Sequence, residues 1–542
     1  MKKTKKIITL ISAATMMLTC ISGCGNKTTS VGGNVDLEKL AESSYPLSTD
    51  QKITWWAYRG GTVYGGYSTP DEMPSMVEYE KATGVDVEWT FATPGQEVQQ
   101  FNLLLASGDL PDIVSYYWTY NDIPGGPDKA IQDGYFTSLN ELIPKYAPAF
   151  NKYLEENPAA ARDLTTDGGN YFYFPSYTTT ETEAKDQISA GYMFRKDWLD
   201  ELGLPVPETM DEWYTTLKAF KEQKNATAPF SIPYTHLSRG IAGAWGIGLP
   251  TFKEGDVVKY GYAEPAYKDF LLTMNKWYNE GLLDKSFASI DTKSVDAKII
   301  NGSTGATFGW AQSGLLKWTN AAREKDPNFE LVGVSYPVKN KGESSTFALR
   351  DPMVYFAGCA ISQQSNNKEL AVKLLDYGFT KEGREKMLFG TVGDTFNIQD
   401  GVYRYTDKIE KNPDGLTMVE AKNLYVRNEQ NIPLLTSNLG LNAKVVESFA
   451  LPELEAAVKT WRNNEGDKSR VPTTLAPSIE DSTEYGRILT DLNSYSQEMM
   501  LKFIVGETPF SEYDNYLAEL EKRGLSRLLE ILQNSYDRYK ER

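Results

Sequence analysis

The chain has 542 residues with 73 acidic against 56 basic side chains, a formal charge of −17, and that balance argues against nucleic acid or anionic lipid as a partner for the body of the protein. Its 41 % hydrophobic content is enough to build a large core, and a chain this long is expected to divide into at least two domains. Of its cysteines, Cys20 and Cys24 lie in or beside an N-terminal leader, so Cys359 stands alone in the body and no intrachain disulfide is expected to hold the fold.

The leader carries Lys2, Lys3, Lys5 and Lys6 and then an apolar run from Ile7 to Leu18. That pattern fits a secretory signal and is too short for a stable bilayer span. Its ending, Ile21-Ser22-Gly23-Cys24, resembles a bacterial lipobox, in which cleavage precedes the cysteine and the thiol receives a diacylglycerol. Residues 1–23 are therefore expected to be a lipoprotein signal peptide and Cys24 the lipidation site. Cys20 does not fit, because Thr19 precedes it. Loss of the leader lysines leaves 52 basic against 73 acidic side chains, a balance of −21. Residues 24–45 then form a polar tether rich in Gly, Ser, Thr and Asn, and a flexible coil of ~20 residues spans roughly 25 Å.

The body opens with a strand-like run at Lys52–Ala57, followed by the loop Tyr58-Arg59-Gly60-Gly61. A helix over Pro74–Thr83 ends at Gly84, a favourable C-terminal cap residue. Val85, Val87, Trp89 and Phe91 alternate as in a half-buried strand. A helix over Gln96–Ala106 is stopped by Gly108 and Pro111, and Ile113-Val114 begins a strand leading to the loop Tyr116-Tyr117-Trp118. Strand, helix, strand, helix, strand at this spacing predicts an α/β domain with a largely parallel sheet. Further on, Thr209 and Glu212 form a capping box ahead of Trp213, Leu217 and Phe220 on one helical face. Helices are expected at Pro265–Glu280, Ser294–Ile300, Leu315–Arg323 and Lys368–Phe389. Strands are expected at Phe329–Tyr336 and Pro352–Ile361, with a hairpin turning at Asp400-Gly401. The tail reads as a helical pair with a stripe of Leu525, Leu528, Leu529, Leu532, Tyr536 and Tyr539.

Enzyme motifs are scarce. Without a Gly-Lys dipeptide the chain has no P-loop, and neither a dinucleotide fingerprint nor a G-x-S-x-G elbow is present. His236 is the only histidine, which excludes histidine-rich zinc sites. No cofactor or metal is expected. What the chain has is aromatic side chains: 11 Trp, 33 Tyr and 22 Phe. An aromatic face covers the C–H face of a sugar ring, while Asp, Arg, Asn and Gln bond its hydroxyls. Tyr58 with Arg59, Tyr117 with Trp118, Trp245, and Trp310 with Gln312 fall near expected strand ends, where open α/β folds hold ligands. Each tryptophan taken singly is as readily a core residue.

The lipobox and tether, together with "ITWWAYRGG", "LLLASGDLPDIVSYYW" and "GSTGATFGW", resemble extracellular solute-binding proteins of family 1, the receptors of ABC importers for oligosaccharides. The segments "YMFRKDWLDELGLPVPETMDEWYTTLKAFK", "YAEPAYKDFLLTMNKWYNEGLLD" and "KFIVGETPFSEYDNYLAELEKRGLSRLLEILQNSYDRY" are similar to the large lipoproteins of that family in Gram-positive bacteria. The likeness covers essentially the whole mature body.

This resemblance implies a two-lobe periplasmic-binding-protein-like α/β fold with hinge crossings near Tyr171–Tyr177 and Tyr336–Tyr355 and a ligand cleft between the lobes. Lobe 1 would comprise 46–172 and 352–420, and lobe 2 would comprise 173–351 and 421–542. Tyr58, Arg59, Tyr117 and Trp118 would line the first lobe, and Tyr177, Trp245, Trp310 and Gln312 the second. Gly305 and Gly309 would let the backbone approach a sugar stacked on Trp310. Arg350 and Asp351 would supply polar contacts near the second crossing, or equally form a solvated ion pair, and His236 would border the cleft. The expected protein is a monomeric, lipid-anchored receptor at the extracellular face of the plasma membrane. It captures an oligosaccharide without chemistry and hands it to a membrane permease. A receptor for a peptide or signalling ligand in the same fold, and a surface glycosidase, are the rival readings. Net acidity disfavours a strongly anionic glycan.

Overall fold

Two separate hydrophobic cores, each built on its own β-sheet, organise the chain. A computed structural model describes residues 36–58, 67–118, 123, 125–180, 190–237, 240–345, 347, 349, 352–427, 431–436, 444–445, 452–462, 469–472 and 474–542, without the side chains of residues 312, 444 and 445. Cys24 and the tether up to residue 35 lie outside the described residues, as do Arg59, Arg350 and Asp351.

The first sheet contains β1 (Lys52–Ala57), β2 (Asp86–Phe91), β3 (Ile113–Tyr117), β4 (Phe174–Pro175) and β10 (Ala357–Ile361), in the spatial order β2-β1-β3-β10-β4. β1 pairs in parallel with β2 and β3, as the alternation of strands and helices predicts. β10 runs antiparallel to both β3 and β4. This strand arrives from far along the chain, so the local pattern of the first domain does not announce it. Trp55 stacks on Trp89 with ring centroids 4.5 Å apart, and its indole N–H donates to Ser115 Oγ at 2.7 Å.

The second sheet has β5 (Ala190–Arg195) at its centre, flanked by β8 (Ala306–Trp310) and β9 (Leu331–Val334), both antiparallel to it. Successive side chains of β5 point to opposite faces. Tyr192 and Phe194 join one core with Trp213, Phe230, Phe308 and the C-terminal helices. Met193 faces the other way, onto a smaller cluster containing Trp318, Leu331 and Trp461. The helix Pro452–Arg462 covers that second face, with Trp461 Nε1 donating to the Tyr192 carbonyl at 3.0 Å. Glycines make this contact possible: a Cβ on Gly191 would stand 2.4 Å from the Trp461 ring, and one on Gly333 would stand 2.5 Å from Ala457. Outside the two main sheets, β6 (Thr251–Glu254) and β7 (Val257–Tyr260) form a hairpin, while β11 (Phe396–Gln399), β12 (Val402–Tyr405) and β13 (Lys444–Val445) form a third sheet.

Most expected elements appear within a residue or two of their predicted ends. The helix Pro74–Thr83 stops at Gly84, the capping box of Thr209 and Glu212 is formed, and the β11–β12 hairpin turns at Asp400-Gly401 with φ of 53° and 75°. Four expectations are corrected. The strand expected over Pro352–Ile361 begins only at Ala357. The helix expected over Lys368–Phe389 is two helices, Lys368–Asp376 and Lys381–Phe389, separated at Gly378, where the backbone passes close against Pro433. The tail holds three helices, Ser482–Val505, Tyr513–Lys522 and Leu525–Glu541, and Ile531 rather than Leu529 completes the buried stripe of the last. The first core also reaches past residues 172 and 420. It includes Tyr173 and Phe174, because β4 pairs with β10, and it includes Leu424, Ile432, Leu434 and Leu435.

One buried carboxylate ties a helix start to this core. Asp376 Oδ1 accepts from Phe150 N at 2.8 Å, at the open N-terminus of the helix Pro148–Glu156. Burial nevertheless dominates and pushes its pKa up to about 7, against the opposing pull of the Phe150 and Ala149 N–H groups and of Lys373. The folded protein therefore binds this proton more tightly than the unfolded chain. The resulting stabilisation is complete below the usual aspartate value of about 3.9 and is lost as pH rises through about 7. The stability difference between wild type and Asp376→Asn, followed by denaturant unfolding from pH 4.5 to 8, should shift against the wild type as pH rises. A difference independent of pH would show that Asp376 is already ionised in the fold.

Candidate functional site

Sheet topology gathers one group of aromatic rings at an edge of the first sheet. β1 and β3 are parallel, so their ends lie side by side, and Tyr58 N donates to the Ser115 carbonyl at 3.1 Å. β10 runs against β3 and β4, so its start lies beside their ends. Tyr117 is opposite Ala357, and Tyr355 N donates to the Tyr177 carbonyl at 3.1 Å. Four half-buried tyrosines result: Tyr58 packs edge-on to Tyr117 at 4.6 Å, Tyr117 to Tyr355 at 6.4 Å, and Tyr355 stacks on Tyr177 at 4.1 Å with 18° between planes. Phe356 adds to the group, 5.4 Å from Tyr117.

A matching edge exists on the second sheet. Trp310 ends β8 opposite Ala190, the first residue of β5, and the Tyr336 hydroxyl just beyond β9 donates to the Ala190 carbonyl at 3.3 Å. Trp310 is half-buried, and the His236 ring meets it edge-on at 5.2 Å. The chain leaves the first sheet after Tyr177 and enters the second at Ala190. It leaves the second near Tyr336 and returns at Tyr355. The aromatic rings thus sit on the two sheet edges that the crossing segments join.

A cavity of about 540 Å³ opens beside the second of these edges, within the roughly 300–1,000 Å³ of small-molecule sites. It is bounded by Thr235, next to His236, by Phe252 and Phe347, and by Arg470, Tyr485 and Asn493. Its accessible lining is more polar than apolar, with the Phe252 and Phe347 rings among the polar groups, and a saccharide with hydroxyl and C–H faces can use both. Among the described residues no group of three or more His, Cys, Asp or Glu is arranged to hold a metal ion.

The structure treats the expected site residues unequally. It brings Tyr58, Tyr117 and Tyr177 together, and it places Trp310 beside His236. Tyr177 joins the edge of the first sheet rather than the second lobe, because it follows β4 directly. Trp118 is a core residue. Its ring is 5 % exposed, edge-on to Phe101, Tyr116, Phe136 and Phe172, and its indole N–H donates to the Gly358 carbonyl at 2.8 Å. The alternation along β3 accounts for this: Trp118 shares a side with buried Tyr116, and Tyr117 points to the other. A cavity of about 40 Å³ adjoins it. Trp245 is half-buried and rests edge-on to Phe270 of the core helix Tyr267–Asn279 at 5.6 Å. Gln312 lies in the wide helical turn Ala311–Leu316.

Gly305 and Gly309 have a different purpose from the one expected. A Cβ on Gly305 would stand 2.3 Å from Phe220, and one on Gly309 would stand 2.4 Å from Trp318. These glycines admit the protein's own rings against β8. Tyr355 and Phe356 were not anticipated as site residues, since only the pairing of β10 with β3 and β4 reveals their position.

The two-sheet, two-core α/β architecture, with the chain passing back and forth between the sheets, is that of the two-domain solute-binding proteins. The model of the bacterial extracellular solute-binding protein family matches residues 68–385, and the chain belongs to that family. It is 26 % identical to the fructooligosaccharide ABC transporter substrate-binding protein FusA of Streptococcus pneumoniae, over 97 % of each chain. It is also 23 % identical to the lipoprotein LipO of Bacillus subtilis, over 86 % of this chain and 90 % of that one. Among solved structures, the alginate-binding protein AlgQ2 matches with a TM-score of 0.73 and 24 % identity, covering 91 % of this chain and all of that one.

Core and site tryptophans should separate in stability measurements. Trp118→Ala is expected to cost about 3–5 kcal/mol, the usual range for truncating a buried aromatic ring, whereas Trp310→Ala, at a half-buried strand end, should cost less than half as much. Urea unfolding monitored by far-ultraviolet circular dichroism reads both. Equal losses would make Trp310 a core residue too.

Proposed function

We propose that this protein is the substrate-binding component of an ABC importer and captures an oligosaccharide between two lobes for delivery to a membrane permease. The observation that carries the reading is the placement of aromatic rings on the joined sheet edges: Tyr58, Tyr117, Tyr355 and Tyr177 on one and Trp310 on the other. A sugar chain lying between those edges would have stacking partners on both sides. That is the condition for a ligand to favour the closed arrangement over the open one.

The first lobe would comprise residues 36–177 and 354–435, following the extent of the first core, and the second would comprise 190–349 and 452–542. Family membership supports a binding role without catalysis. FusA and AlgQ2, named for a fructooligosaccharide and for alginate, support a saccharide as ligand. The net charge of −17 favours a neutral one. Anchoring of a monomer through lipidated Cys24 at the extracellular face of the plasma membrane completes the reading. No helix among the described residues is long and apolar enough to cross a membrane.

The test is intrinsic tryptophan fluorescence of the leaderless body, titrated with kestose and longer neutral fructooligosaccharides, with alginate oligosaccharides alongside. A saturable change is expected with a neutral sugar, weakened about tenfold, or 1.4 kcal/mol, by Trp310→Ala and by Tyr355→Ala. Binding unaffected by either variant would move the site away from both edges. A folded protein that binds no saccharide but does bind peptides would replace the sugar reading with the peptide one.

A further inference from the structure

The last helix, Leu525–Glu541, belongs to the second core through Leu525, Leu528, Ile531, Leu532 and Tyr536, yet its end is bonded to the first. Arg538 Nε pairs with Asp167 Oδ2 at 2.7 Å. Arg542 takes the other oxygen of Asp167 and also donates to the Thr165 carbonyl. The Tyr539 hydroxyl donates to Asp163, and the Arg162 guanidinium lies 5.0 Å over the Tyr539 ring. Arg162 and Asp163 sit in the helix Pro158–Leu164, which enters the first core through Ala160 and Leu164. Arg538 reaches a third place as well, donating to the Ala476 carbonyl at 3.0 Å. Thr474, Leu475 and Ala476 there close the 40 Å³ cavity against Phe172 and Tyr173.

Two properties of this cluster matter for motion between the lobes. It is largely shielded from solvent, with the Arg542, Asp167 and Arg538 side chains 7 %, 13 % and 35 % exposed, and separating such a pair leaves a charge without its partner. It also lies beside a crossing. The bridge between Thr165 and Tyr171 directly precedes β4, the strand from which the chain leaves the first sheet. Points near a hinge axis move little when lobes rotate, so a strong contact there persists through the motion instead of breaking.

We propose that Arg538, Tyr539 and Arg542 are positioning residues for ligand capture. Together with Asp163 and Asp167 they form a side-chain connection between the lobes in addition to the crossing segments of the chain, a pivot kept in the open and closed arrangements alike. The crossing segments alone allow the lobes to twist as well as to close. A side-chain anchor beside them suppresses the twist, so that closure returns Trp310 opposite the tyrosine group. The inference uses the two-lobe capture reading for its ligand arm and stands on geometry alone for the rest.

Small-angle scattering of the ligand-free, leaderless protein tests it. Wild type is compared with Asp167→Asn, with Arg538→Ala plus Arg542→Ala, and with the charge-conserving Arg542→Lys, after thermal unfolding has identified the folded variants. The wild type should give a radius of gyration near the roughly 23 Å of a compact chain of this size. Asp167→Asn and the double variant should give a larger value and a broader distance distribution, with Arg542→Lys between them and the wild type. Kestose affinity should fall about tenfold in the double variant, in step with a smaller fraction of binding-competent molecules. Scattering unchanged in folded variants would overturn the proposal. So would unfolding of Asp167→Asn and the double variant together, which would make the cluster a requirement of the fold. A wild type that does not bind kestose counts against the ligand reading, and the scattering comparison then decides the pivot.

Discussion

β10 pairs with β3 on one side and β4 on the other, antiparallel to both, and the arrangement of the aromatic edge of the first sheet depends on that pairing. Had the returning strand run parallel, its start would lie at the far end of the sheet, and Tyr355 would be a sheet's length from Tyr117. Antiparallel pairing instead puts Tyr355 and Phe356 between Tyr117 and Tyr177. The pairing also defines the crossings, because β4 is the last strand before the chain departs and β10 the first after it returns. One set of backbone hydrogen bonds therefore fixes both the aromatic surface and the points where the chain leaves and rejoins the first sheet.

The second lobe meets a different constraint. Its three-stranded sheet is covered by bulky rings on both faces, and three of those rings come close where side chains are missing. Phe220 occupies the space a side chain on Gly305 would need, Trp318 that of Gly309, and Trp461 that of Gly191. Close packing of this kind makes the end of β8 a rigid mount for Trp310, which suits the stacking role proposed for it, since a platform held rigid loses little freedom on binding. One buried carboxylate of this part of the chain, Asp284, accepts from Ser231 at 2.6 Å and from Lys298.

Local features were legible in the sequence and long-range ones were not. The capping box at Thr209, the stop at Gly84 and the hairpin at Asp400-Gly401 each follow from a few neighbouring residues. Tyr58 and Tyr117 were visible as strand-end aromatics for the same reason. Trp118 shows the limit: a run of three aromatics marks a strand end, but alternation decides which ring is buried, and the strand had first to extend to Tyr117. Tyr355 is invisible without β10's partners, which lie far back along the chain. The glycines of "GSTGATFGW" are an ambiguous signal by nature. A missing side chain announces that something approaches, and only the fold reveals that the visitors are Phe220 and Trp318. The helix Pro452–Arg462 left no expectation at all, since its role is set by the sheet face it covers.

The most direct test of the central claim is a crystal structure with a bound oligosaccharide drawn from those that change the protein's fluorescence. The account predicts density for sugar rings between the two sheet edges, with one ring against the Trp310 face and another against the Tyr117, Tyr355 and Tyr177 group. Density for the saccharide touching only one lobe, or lying away from both edges, would contradict it.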